Sequence, residues 1–391
     1  MRVAIVAEYY PRAADPVLGV WAHRQALAAR DAGADVRVLV LHRPLPPLAA
    51  LRARDRAALR AAVRQPREAV LDGIPVTYVP YLSPPRPWSY GTWGAWAAPL
   101  LKRALVHLHT EFPFDLVHAH YAVPAGDAVR RARTAEGRIP LVVSVHGGDV
   151  LFTARHGAAG RRAVRRAFDA ARLVLANSAG TRRRCEELGA RDARVVHLGT
   201  DLPARPAPDP FDALVSVGHL VARKRHGDVV RALWLLRDRH PGLRLVVVGD
   251  GPERTALEAL VADLGLTARV ELRGALPHAQ AVGVARRGRL FVLPSVDEAF
   301  GVAYVEAMAG WVPAIGTQGE DGPEEIAAAG DGLRLVAPAD VESLATEIDA
   351  ILSDRHHHRD LGRAARATVE RSFTWERCGR ATVTAYEDAL R

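Results

Sequence analysis

The stretch LFVLPSVDEAFGVAYVEAMAG, residues 290–310, contains a complete strand–loop–helix unit. Its first four residues are apolar and are followed by Pro294, which predicts a buried strand that stops there. Residues 295–299 form the predicted loop at the carboxyl end of this strand, and a helix is expected to begin near Gly301 and to run through Met308. Because parallel sheets are built by repeating such units, this stretch decides the fold class.

The same alternation recurs along the whole chain. Short runs rich in β-branched residues are predicted strands, and most are separated by alanine- and arginine-rich segments long enough for helices. The predicted strands are residues 3–7, 36–41, 116–118, 141–145, 173–176, 214–217, 245–248, 270–272 and 290–293. Continuous apolar strands that alternate with helices are typical of parallel sheets covered on both faces. The sequence therefore predicts an α/β protein.

Proline density divides the chain into two parts. The stretch PARPAPDP, residues 203–210, cannot form a regular helix and is typical of a linker. We therefore predict two doubly wound, Rossmann-like domains, 1–205 and 206–374, that face a central cleft. In such sheets ligands bind beyond the carboxyl ends of the strands, so the cleft is the expected site. Residues 375–391 are predicted to form a helix that packs back on the first domain.

Composition narrows the class of protein. The chain has 391 residues, of which 49% are hydrophobic, so two cores of ordinary size are possible. Cys185 and Cys378 are the only cysteines and lack metal-ligand spacing, which favours a reducing compartment without a disulfide framework. No signal peptide is evident, and no apolar run approaches the roughly 18 residues of a spanning helix. We therefore expect a soluble, cytoplasmic protein.

Charge is distributed unevenly along the chain. Residues 1–205 hold 31 basic and 17 acidic side chains, a net charge of +14, whereas the remainder holds 22 and 27, a net charge of −5. This excess is explained either by an anionic partner, such as a membrane surface, or by an arginine-rich composition alone. Four arginines at helical spacing fit both explanations: Arg161, Arg162, Arg165 and Arg166. Residues 44–70, rich in Leu, Ala, Arg and Pro, are a predicted helical excursion.

Two carboxylates stand in the apolar stretch quoted above, where acidic groups are rarely buried without a partner. Glu298 lies just before the predicted helix, and Glu306 lies roughly one turn to a turn and a half into it. A helix N-terminus attracts an anion, and Gly301 lets a ligand approach the backbone. A nucleotide sugar would fit this layout, with hydroxyls on each carboxylate and its diphosphate between them. The alternative is a capping Glu298 and an exposed Glu306.

Three other loops after predicted strands can contact phosphate. Arg223 and Lys224 lie in GHLVARKRHGD, residues 218–228, where cations can neutralise a diphosphate, although ordinary loop charges are the alternative. The loop VGDGP, residues 248–252, is glycine-rich but lacks the third glycine of a dinucleotide-binding motif. Gly19 lies between the first strand and the first helix, where backbone N–H groups can reach a phosphate or where a plain turn would suffice.

These motifs resemble the family-4 glycosyltransferases of the GT-B fold. The most specific match is LPSVDEAFGVAYVEAMAGWVPAIGT, residues 293–317, which is similar to the E-x7-E segment of that family. The supporting matches are VSVGHLVARKRHGDVVRAL, LVVVGDGPERTAL, DLVHAHY, VVSVHGGDV and FTWERCGRATVTAYEDAL, so the resemblance covers most of the chain. It implies a retaining hexosyltransferase of bacterial polysaccharide or glycoconjugate biosynthesis, which takes a sugar from a nucleotide-diphosphate donor and requires no metal or other cofactor.

The resemblance also implies roles for residues of the second domain. Glu298 would hold hydroxyls of the donor sugar, and Glu306 would hold the ribose hydroxyls. Arg223 and Lys224 would meet the diphosphate of the donor. Uridine diphosphate is the commonest donor nucleotide in the family, so a UDP-sugar is the first expectation.

Further roles are implied for backbone groups and for the first domain. Phe300 and Gly301 would offer backbone contacts to the donor, and Gly19 would meet its phosphates from the first domain. His146, in the segment HGGD, would face the reacting sugar. The implied catalytic set is therefore His146 together with Lys224 and Glu298.

Three positions depart from the family pattern. His219 stands where the family often has an arginine, and a neutral imidazole is a weaker ligand for a diphosphate. Gly19 stands alone where two adjacent glycines are common. Trp311 stands where the family usually has a glycine after the helix, and its bulk disfavours a left-handed cap, so we expect another cap geometry there.

The acceptor is expected to bind the first domain. His118 and His120 are expected to face opposite sides of their strand, with His120 the better candidate because it is nearer the strand's end. Asp149, in HGGD, is a second acceptor-side candidate. Trp93 and Trp96 either pack in the core, line an acceptor groove or face a membrane. The acceptor itself is a hydroxyl group of a glycan, a lipid-linked molecule or a small molecule.

Two alternatives belong to the same fold. A GT-B nucleotide-sugar epimerase would release isomerised sugar with no acceptor present, and a non-catalytic nucleotide-sugar-binding protein would need only the donor site. A dinucleotide oxidoreductase is disfavoured by the missing glycine fingerprint. Nucleic acid is not an expected partner, because the basic first half lacks an aromatic-rich platform. Peripheral contact with the inner face of an anionic membrane would explain the charge.

Overall fold

The computed structural model of the chain describes residues 1–45, 64–132 and 139–391, except for the side chains of Arg86 and Pro87. These residues form two compact units. The first comprises Met1–His197 together with Trp375–Arg391, and the second comprises Leu198–Thr374. The chain thus passes from one unit to the next a few residues before the proline-rich stretch, where the sequence analysis placed the boundary, and its C-terminal segment belongs to the first unit.

The first unit is built on an eight-stranded sheet with the strand order β3-β4-β2-β1-β5-β6-β7-β8. The strands are β1 (Arg2–Ala7), β2 (Asp35–His42), β3 (Glu68–Leu71), β4 (Ile74–Pro80), β5 (Leu116–His120), β6 (Leu141–Val145), β7 (Leu173–Ala176) and β8 (Ala193–Val195). All neighbours are parallel except β3 and β4, which are antiparallel. The strand order reverses between β1 and β5, which is the position where ligands bind in such sheets.

Helices cover this sheet. They are α1 (Val20–Asp31), α2 (Arg86–Ser89), α3 (Trp93–Glu111), α4 (Asp127–Ala132), α5 (Ala158–Ala170) and α6 (Ala179–Glu187), with short helical turns at Ala122–Gly126 and Gly148–Thr153. The helix α3 has 19 residues but carries Lys102 and Arg103 near its middle. Within the described ranges no helix combines the length and the apolar character that crossing a bilayer requires.

The second unit is built on a six-stranded parallel sheet with the order β11-β10-β9-β12-β13-β14. Its strands are β9 (Ala213–Val217), β10 (Arg244–Val248), β11 (Val270–Leu272), β12 (Leu290–Val292), β13 (Ala314–Thr317) and β14 (Leu333–Val336). Its helices are α7 (His226–Leu235), α8 (Arg254–Asp263), α9 (His278–Ala285), α10 (Val302–Met308), α11 (Asp321–Ala328), α12 (Val341–Ser353) and α13 (Arg355–Ser372). The last helix, α14 (Trp375–Leu390), returns to the first unit.

Both faces of the first sheet are covered, as the continuous apolar strands predict. Along β1, Ala4 and Val6 join one buried apolar cluster, whereas Val3 and Ile5 join another on the opposite face. This alternation follows from the two-residue repeat of a strand. The prediction of two doubly wound α/β domains is confirmed, and each predicted strand overlaps an observed one.

The predicted helical excursion at residues 44–70 is wrong where the structure describes it. Residues 46–63 lie outside the described ranges, but β3 begins at Glu68 and pairs with β4. The two strands are joined by Asp72 and Gly73, which both have positive φ values, 47° and 82°. An Asp-Gly pair of this kind closes a tight hairpin, so turn chemistry overrides the alanine- and arginine-rich composition before it.

The prediction that His118 and His120 face opposite sides of their strand is also wrong. Side chains of successive strand residues alternate, so residues two apart share a face. The two imidazole rings lie 4.4 Å apart between centroids, and both side chains are fully buried. His118 Nδ1 is 2.7 Å from the Tyr386 hydroxyl of α14, and its Nε2 is 2.7 Å from Ser144 Oγ. His118 therefore fastens the C-terminal helix to the first sheet.

The expected cap geometry at Trp311 is wrong as well. Trp311 adopts the left-handed conformation with φ 63°, although it carries a large side chain. The Arg366 guanidinium lies 4.3 Å from the centre of the indole ring and donates to the Ala309 carbonyl over 2.9 Å. A Cβ placed on Gly362 would lie 2.4 Å from the Trp311 carbonyl oxygen, so α13 packs directly on this turn. Contacts from a distant helix thus hold a conformation that local preference disfavours.

Candidate functional site

Glu298 is held in the loop between β12 and α10 by its side chain and by its main chain. Ser295 Oγ donates to Glu298 Oε2 over 2.9 Å. The Glu298 N–H donates to Glu320 Oε2 over 2.8 Å, and its carbonyl accepts from the Gly322 N–H over 3.2 Å. Only 9% of Glu298 is exposed. The loop therefore presents this carboxylate in one fixed orientation.

Lys224 forms an ion pair with Glu298. It ends the short turn Ala222–Lys224 that follows β9, and the two paired side chains are only 12% and 11% exposed. Burial alone would raise the pKa of the Glu298 carboxyl, but the Lys224 ammonium, the Arg223 charge and the Ser295 hydroxyl together lower it. The result is a charged, compensated carboxylate next to a cation with further donors to offer.

Arg223 and His219 are both exposed, and the Arg223 charge acts on the Glu298 carboxyl. The Arg223 carbonyl accepts a hydrogen bond from the Val296 N–H over 2.8 Å, which ties the loop after β9 to the loop that carries Glu298. The departure at position 219 therefore places an exposed imidazole in the segment between β9 and Lys224. Arg223 therefore offers a permanent charge that is open to solvent.

The glycine-rich loop after β10 packs closely against the loop after β9. Gly249 has φ 145°, and a Cβ placed on it would lie 1.9 Å from the Gly218 carbonyl oxygen. A Cβ placed on Gly251 would lie 2.4 Å from the Leu220 carbonyl oxygen. These distances are far below any tolerated contact, so the two glycines allow this loop to lie against the loop that leads to Lys224.

Phe300 and Gly301 form the junction between the Glu298 loop and α10. Gly301 has φ 87° and precedes the first residue of the helix, as predicted. Phe300 is buried and packs edge-on against Phe373, with 5.6 Å between ring centroids. The phenyl ring therefore anchors the junction in the core, which leaves only backbone groups of these two residues for a ligand.

Glu306 lies in α10 with 8% of its surface exposed. Its Oε1 is 2.7 Å from Nε2 of His278, the first residue of α9. Its other oxygen, Oε2, accepts no hydrogen bond from the described part of the chain. The Arg286 Nε donates to the Glu306 carbonyl over 3.1 Å, which fixes the helix turn that carries it. Glu306 is therefore an oriented carboxylate with an oxygen left for a ligand.

In the first unit the structure pairs two of the predicted residues. His120 ends β5, His146 follows the neighbouring strand β6, and His120 Nδ1 lies 2.9 Å from His146 Nε2. One of these nitrogens donates and the other accepts. Burial lowers the pKa of His146 to about 3 and that of His120 well below its usual range, so both rings are neutral. His146 Nδ1 has no hydrogen-bond partner among the described residues.

Asp149 connects the loops that follow β5 and β6. Its Oδ1 accepts from the Ala122 N–H over 2.7 Å, and its Oδ2 accepts from the His146 N–H over 3.3 Å. The side chain is fully buried, and this burial raises its pKa to about 7 despite the backbone hydrogen bonds. In this structure Asp149 shapes the His146 loop and offers no exposed surface.

Gly19 immediately precedes α1 in a left-handed conformation with φ 65°. A Cβ placed on it would lie 2.1 Å from the Tyr9 carbonyl oxygen and 2.5 Å from the Tyr10 nitrogen. The loop between β1 and α1 therefore folds back onto the end of β1, and only glycine fits there. This places the start of α1 at the carboxyl edge of the first sheet.

The buried histidines predict that acid destabilises the fold. Burial lowers the pKa of His118 to about 3, and it also lowers the pKa of His120. Below about pH 6.5 both histidines are therefore protonated in the unfolded chain but remain neutral in the folded protein. For each of these histidines the free energy of unfolding should fall by about 1.4 kcal/mol for every pH unit below about 6.5. Burial raises the pKa of Asp149 to about 7, so between its ordinary pKa and pH 7 this carboxyl is protonated only in the folded protein. In that range Asp149 should offset the destabilisation caused by one of the histidines.

Urea unfolding between neutral and mildly acidic pH measures this dependence. His118→Gln should reduce the slope of unfolding free energy against pH by one proton, since glutamine does not titrate. An unchanged slope in that variant would contradict the assignment.

Sequence reasoning missed several residues that shape the site. Ser295 and Glu320 hold Glu298, and His278 holds Glu306. Ser295 lies in the quoted strand–loop–helix stretch but was given no role there, and Glu320 and His278 lie outside the quoted motifs. One compositional signal was available for Lys224. Of the 53 basic residues only two are lysines, at positions 102 and 224, so a chain that otherwise uses arginine retains a lysine beside Glu298. Within the described ranges no cluster of three or more metal-ligating side chains occurs.

Family models and known proteins match this arrangement. Residues 18–203 match the model of Glycosyltransferase Family 4, and residues 201–368 match the model of Glycosyl transferases group 1. The chain is 26% identical to the glycogen synthase of Mycobacterium tuberculosis, over 100% of this chain and 95% of that protein. It is 28% identical to the N-acetyl-alpha-D-glucosaminyl L-malate synthase of Bacillus anthracis, over 71% of this chain and 75% of that protein.

Solved structures share the fold. The sucrose-phosphate synthase of Thermosynechococcus elongatus superimposes with a TM-score of 0.78 and 20% identity, covering 99% of this chain and 98% of that one. The Anabaena protein HepE, solved with UDP and glucose, superimposes with a TM-score of 0.73 and 21% identity, covering 99% and 100%. The fold and the family models agree with the resemblance drawn from the motifs. The chain is thus an enzyme of the family-4 glycosyltransferases with the GT-B fold.

Proposed function

We propose that the protein is a retaining glycosyltransferase that moves a hexose from a nucleotide-diphosphate sugar to a hydroxyl acceptor. The observation that carries the proposal is the buried pair of Lys224 and Glu298, set in the loops after β9 and β12. A charged carboxylate can accept hydrogen bonds from sugar hydroxyls, and the adjacent ammonium can neutralise a departing phosphate. The pair could thus bind both the sugar and the diphosphate of a nucleotide sugar.

Each donor group then has a candidate partner in the second unit. Lys224 and exposed Arg223 would bind the diphosphate, and Glu298 would bind the hydroxyls of the sugar. Glu306 would bind the ribose hydroxyls through the oxygen that His278 does not use. The backbone at Phe300 and Gly301 would contact the donor directly. UDP is the first nucleotide to test, because the structural neighbour HepE was solved with UDP.

The first unit would supply the acceptor side. His146 follows β6 and is partly exposed, and it would face the reacting sugar. His120 would hold the imidazole in place at its Nε2 atom. Gly19 would let the donor phosphates approach the start of α1.

The reaction needs charge stabilisation more than a nucleophile. The bond between the anomeric carbon and the diphosphate oxygen breaks, and the bond from that carbon to the acceptor oxygen forms on the same face. The acceptor's proton passes to the departing diphosphate, so atoms and charge balance without a protein carboxylate beneath the sugar. Lys224 and Arg223 would stabilise the negative charge that develops on the leaving group.

The proposal extends to the setting of the enzyme. The basic first half, with its net charge of +14, would draw the enzyme to an anionic membrane surface at the cytoplasmic side or to a diphosphate-linked lipid acceptor. This setting suits the synthesis of a polysaccharide or glycoconjugate. A soluble glycan or small molecule is the other acceptor class.

Replacing Lys224 by methionine should weaken UDP binding by about 50-fold, because a charge-assisted contact to the diphosphate is lost. Isothermal titration with UDP measures the effect. Lys102→Met is the matched control, since Lys102 is the only other lysine and lies exposed on α3. Equal UDP affinity in the two variants would remove Lys224 from the donor site.

The alternatives within the fold predict different products. An epimerase would convert a nucleotide sugar and release isomerised sugar with no acceptor present, and a binding protein would leave the donor intact. A thermal-shift screen of nucleoside diphosphates and nucleotide sugars identifies the donor, and chromatography of the incubated donor with acceptor mixtures separates the three outcomes. Formation of a glycosylated product with the anomeric configuration of the donor supports the proposal.

A further inference from the structure

We infer that Glu320 is a positioning residue for sugar transfer. Its ionised carboxylate holds the main chain at Asp297 and Glu298, and so keeps the Glu298 side chain aimed at the donor sugar. This role rests on the proposed function, because it requires that Glu298 binds the sugar. It adds a residue from outside the quoted motifs, and it makes transfer depend on the ionisation of that residue.

The main chain just before Glu298 adopts an unfavourable conformation. Asp297 has φ 53°, in the left-handed region, where the Cβ of a residue other than glycine crowds the following carbonyl. Its own side chain is exposed. Such a conformation persists only when surrounding groups hold it, and strain of this kind is concentrated at functional sites. The loop that carries Glu298 therefore needs a partner from another segment.

Glu320 supplies this partner from the loop after β13. Its Oε2 accepts from the Glu298 N–H over 2.8 Å, and the N–H of Asp297 also bonds to its carboxylate. Successive backbone N–H groups around a left-handed residue form a concavity that binds an anion. The Glu320 carboxylate is the anion in this case, so it stabilises the conformation that places Glu298.

The place of Glu320 in its own segment indicates that the carboxylate serves the neighbouring loop. Glu320 immediately precedes α11, where serine, threonine, aspartate or asparagine would cap the helix. Among the described residues its side chain makes no capping hydrogen bond to α11. The longer glutamate side chain instead crosses from the loop after β13 to the loop after β12, and these two strands are neighbours in the sheet.

Close packing keeps the two loops together. A Cβ placed on Gly322 would lie 2.2 Å from the Phe300 carbonyl oxygen, and the Gly322 N–H donates to the Glu298 carbonyl over 3.2 Å. Ser295 holds the Glu298 side chain, whereas Glu320 holds its N–H. Loss of the Glu320 carboxylate should therefore misalign Glu298 without removing the partner of its side chain.

The ionisation of Glu320 is coupled to this contact. Burial and the charges of Asp297 and Glu298 raise the pKa of Glu320, although the two backbone hydrogen bonds lower it. Because those bonds favour the ionised form, protonation must weaken them. Charged side chains from three segments adjoin Glu320 or its partner Glu298: Asp297 after β12, Asp321 and Glu324 on α11, and Arg223 and Lys224 after β9.

Hydrogen–deuterium exchange of the enzyme without ligand tests the hold on the loop. The measured peptide covers residues 293–304. Glu320→Ala should speed its exchange about tenfold, because the Glu298 N–H loses its acceptor. Glu320→Gln keeps an acceptor oxygen without charge, so exchange should rise only about threefold. The matched control is Glu342→Ala, an exposed carboxylate in the first turn of α12, which should leave the exchange unchanged.

The pH dependence separates a charged contact from a merely structural one. Protonated glutamic acid and glutamine are both neutral. As the pH falls through the raised pKa of Glu320, the exchange rates of the unaltered enzyme and of Glu320→Gln should therefore converge. The two proteins are compared at each pH, so the intrinsic pH dependence of exchange cancels. A constant ratio would show that the ionised carboxylate is not what holds the loop.

Turnover of a donor extends the test to the site. With UDP-glucose as the probe, Glu320→Ala should lower kcat about 30-fold, because Glu298 is misaligned with the sugar. The KM and the affinity for UDP should change less than about threefold, since Lys224 and Glu306 lie on other elements. Glu320→Gln should recover kcat to within about fivefold of the unaltered enzyme. Circular dichroism shows that each variant is folded.

Three results decide the role of Glu320. Exchange and kcat in Glu320→Ala equal to those in Glu342→Ala would overturn it. Equal losses of UDP affinity and of kcat would place Glu320 in the nucleotide site and would also overturn it. If the unaltered enzyme neither bound UDP nor turned over UDP-glucose, the proposed function would fail for this donor, whereas the exchange rates would still show whether Glu320 holds the loop.

Discussion

Replacing Glu298 by glutamine should lower sugar transfer by about 10²–10³-fold while leaving UDP bound at least as tightly as before. The amide keeps the size of the side chain and can still accept from Ser295, but it loses the charge that would hold sugar hydroxyls. The same charge repels a diphosphate, and its removal frees the Lys224 ammonium for the phosphate. The advantage of a UDP-sugar over UDP in binding should therefore shrink, which calorimetry with both ligands measures.

Glu324→Gln is the matched control for this variant. Glu324 is an exposed carboxylate on α11 of the same unit, so the change in charge is equal but lies outside the paired site. We also expect the Glu298 variant to unfold about 3 kcal/mol more easily, because Lys224 loses a buried partner. Full transfer activity in the Glu298 variant, or a parallel loss of UDP affinity, would contradict its assignment to the sugar.

Replacing Glu306 by glutamine should weaken UDP binding by about 10²-fold, because a carboxylate that accepts from ribose hydroxyls loses its charge. The sharper expectation concerns the ligand rather than the protein. The nucleotide 2′-deoxy-UDP lacks a hydroxyl, so it should bind the unaltered enzyme more weakly and lose less affinity on substitution. Titration of both nucleotides into both proteins gives the coupling between Glu306 and the ribose.

His278→Ala separates positioning from contact. His278 Nε2 lies 2.7 Å from Glu306 Oε1, so its removal should loosen the carboxylate without removing its charge. We expect a smaller loss of UDP affinity than in the Glu306 variant, about three- to tenfold, and the same preference for ribose. If the Glu306 variant lost equal affinity for UDP and 2′-deoxy-UDP, the carboxylate would not contact the ribose.

Much of the fold was predictable because its signals are local. The apolar run that forms β12, the proline after it and Gly301 before α10 each act within a few residues. The observed loop and helix agree with these signals. The family resemblance also rests on contiguous motifs, and the family models confirm it. The periodicity of apolar residues shows which face of a single helix or strand is buried. Such information lies within one element, so it can be interpreted from the sequence alone.

The errors had different causes, and only the one at Trp311 arose where distant segments meet. The left-handed Trp311 is held by Arg366 and by the packing of Gly362, more than forty residues further along the chain. At Trp311 the tertiary contacts outweigh a local preference of about 1–2 kcal/mol against the left-handed conformation. The strand at Glu68 pairs with β4 across the Asp72-Gly73 turn, a local signal that a prediction from composition does not use. The shared face of His118 and His120 follows from the two-residue repeat of a strand, which is also a local rule.

The sequence by itself determined the α/β class, the strand–loop–helix unit around Glu298 and the family, because these depend on the order of residues within short segments. Only the tertiary structure decided which side chains become partners. It paired Lys224 with Glu298, His278 with Glu306 and His120 with His146. The first and third pairs lie at or after the ends of strands that are neighbours in a sheet, and the second joins helices α9 and α10, so their geometry exists only once these elements have packed.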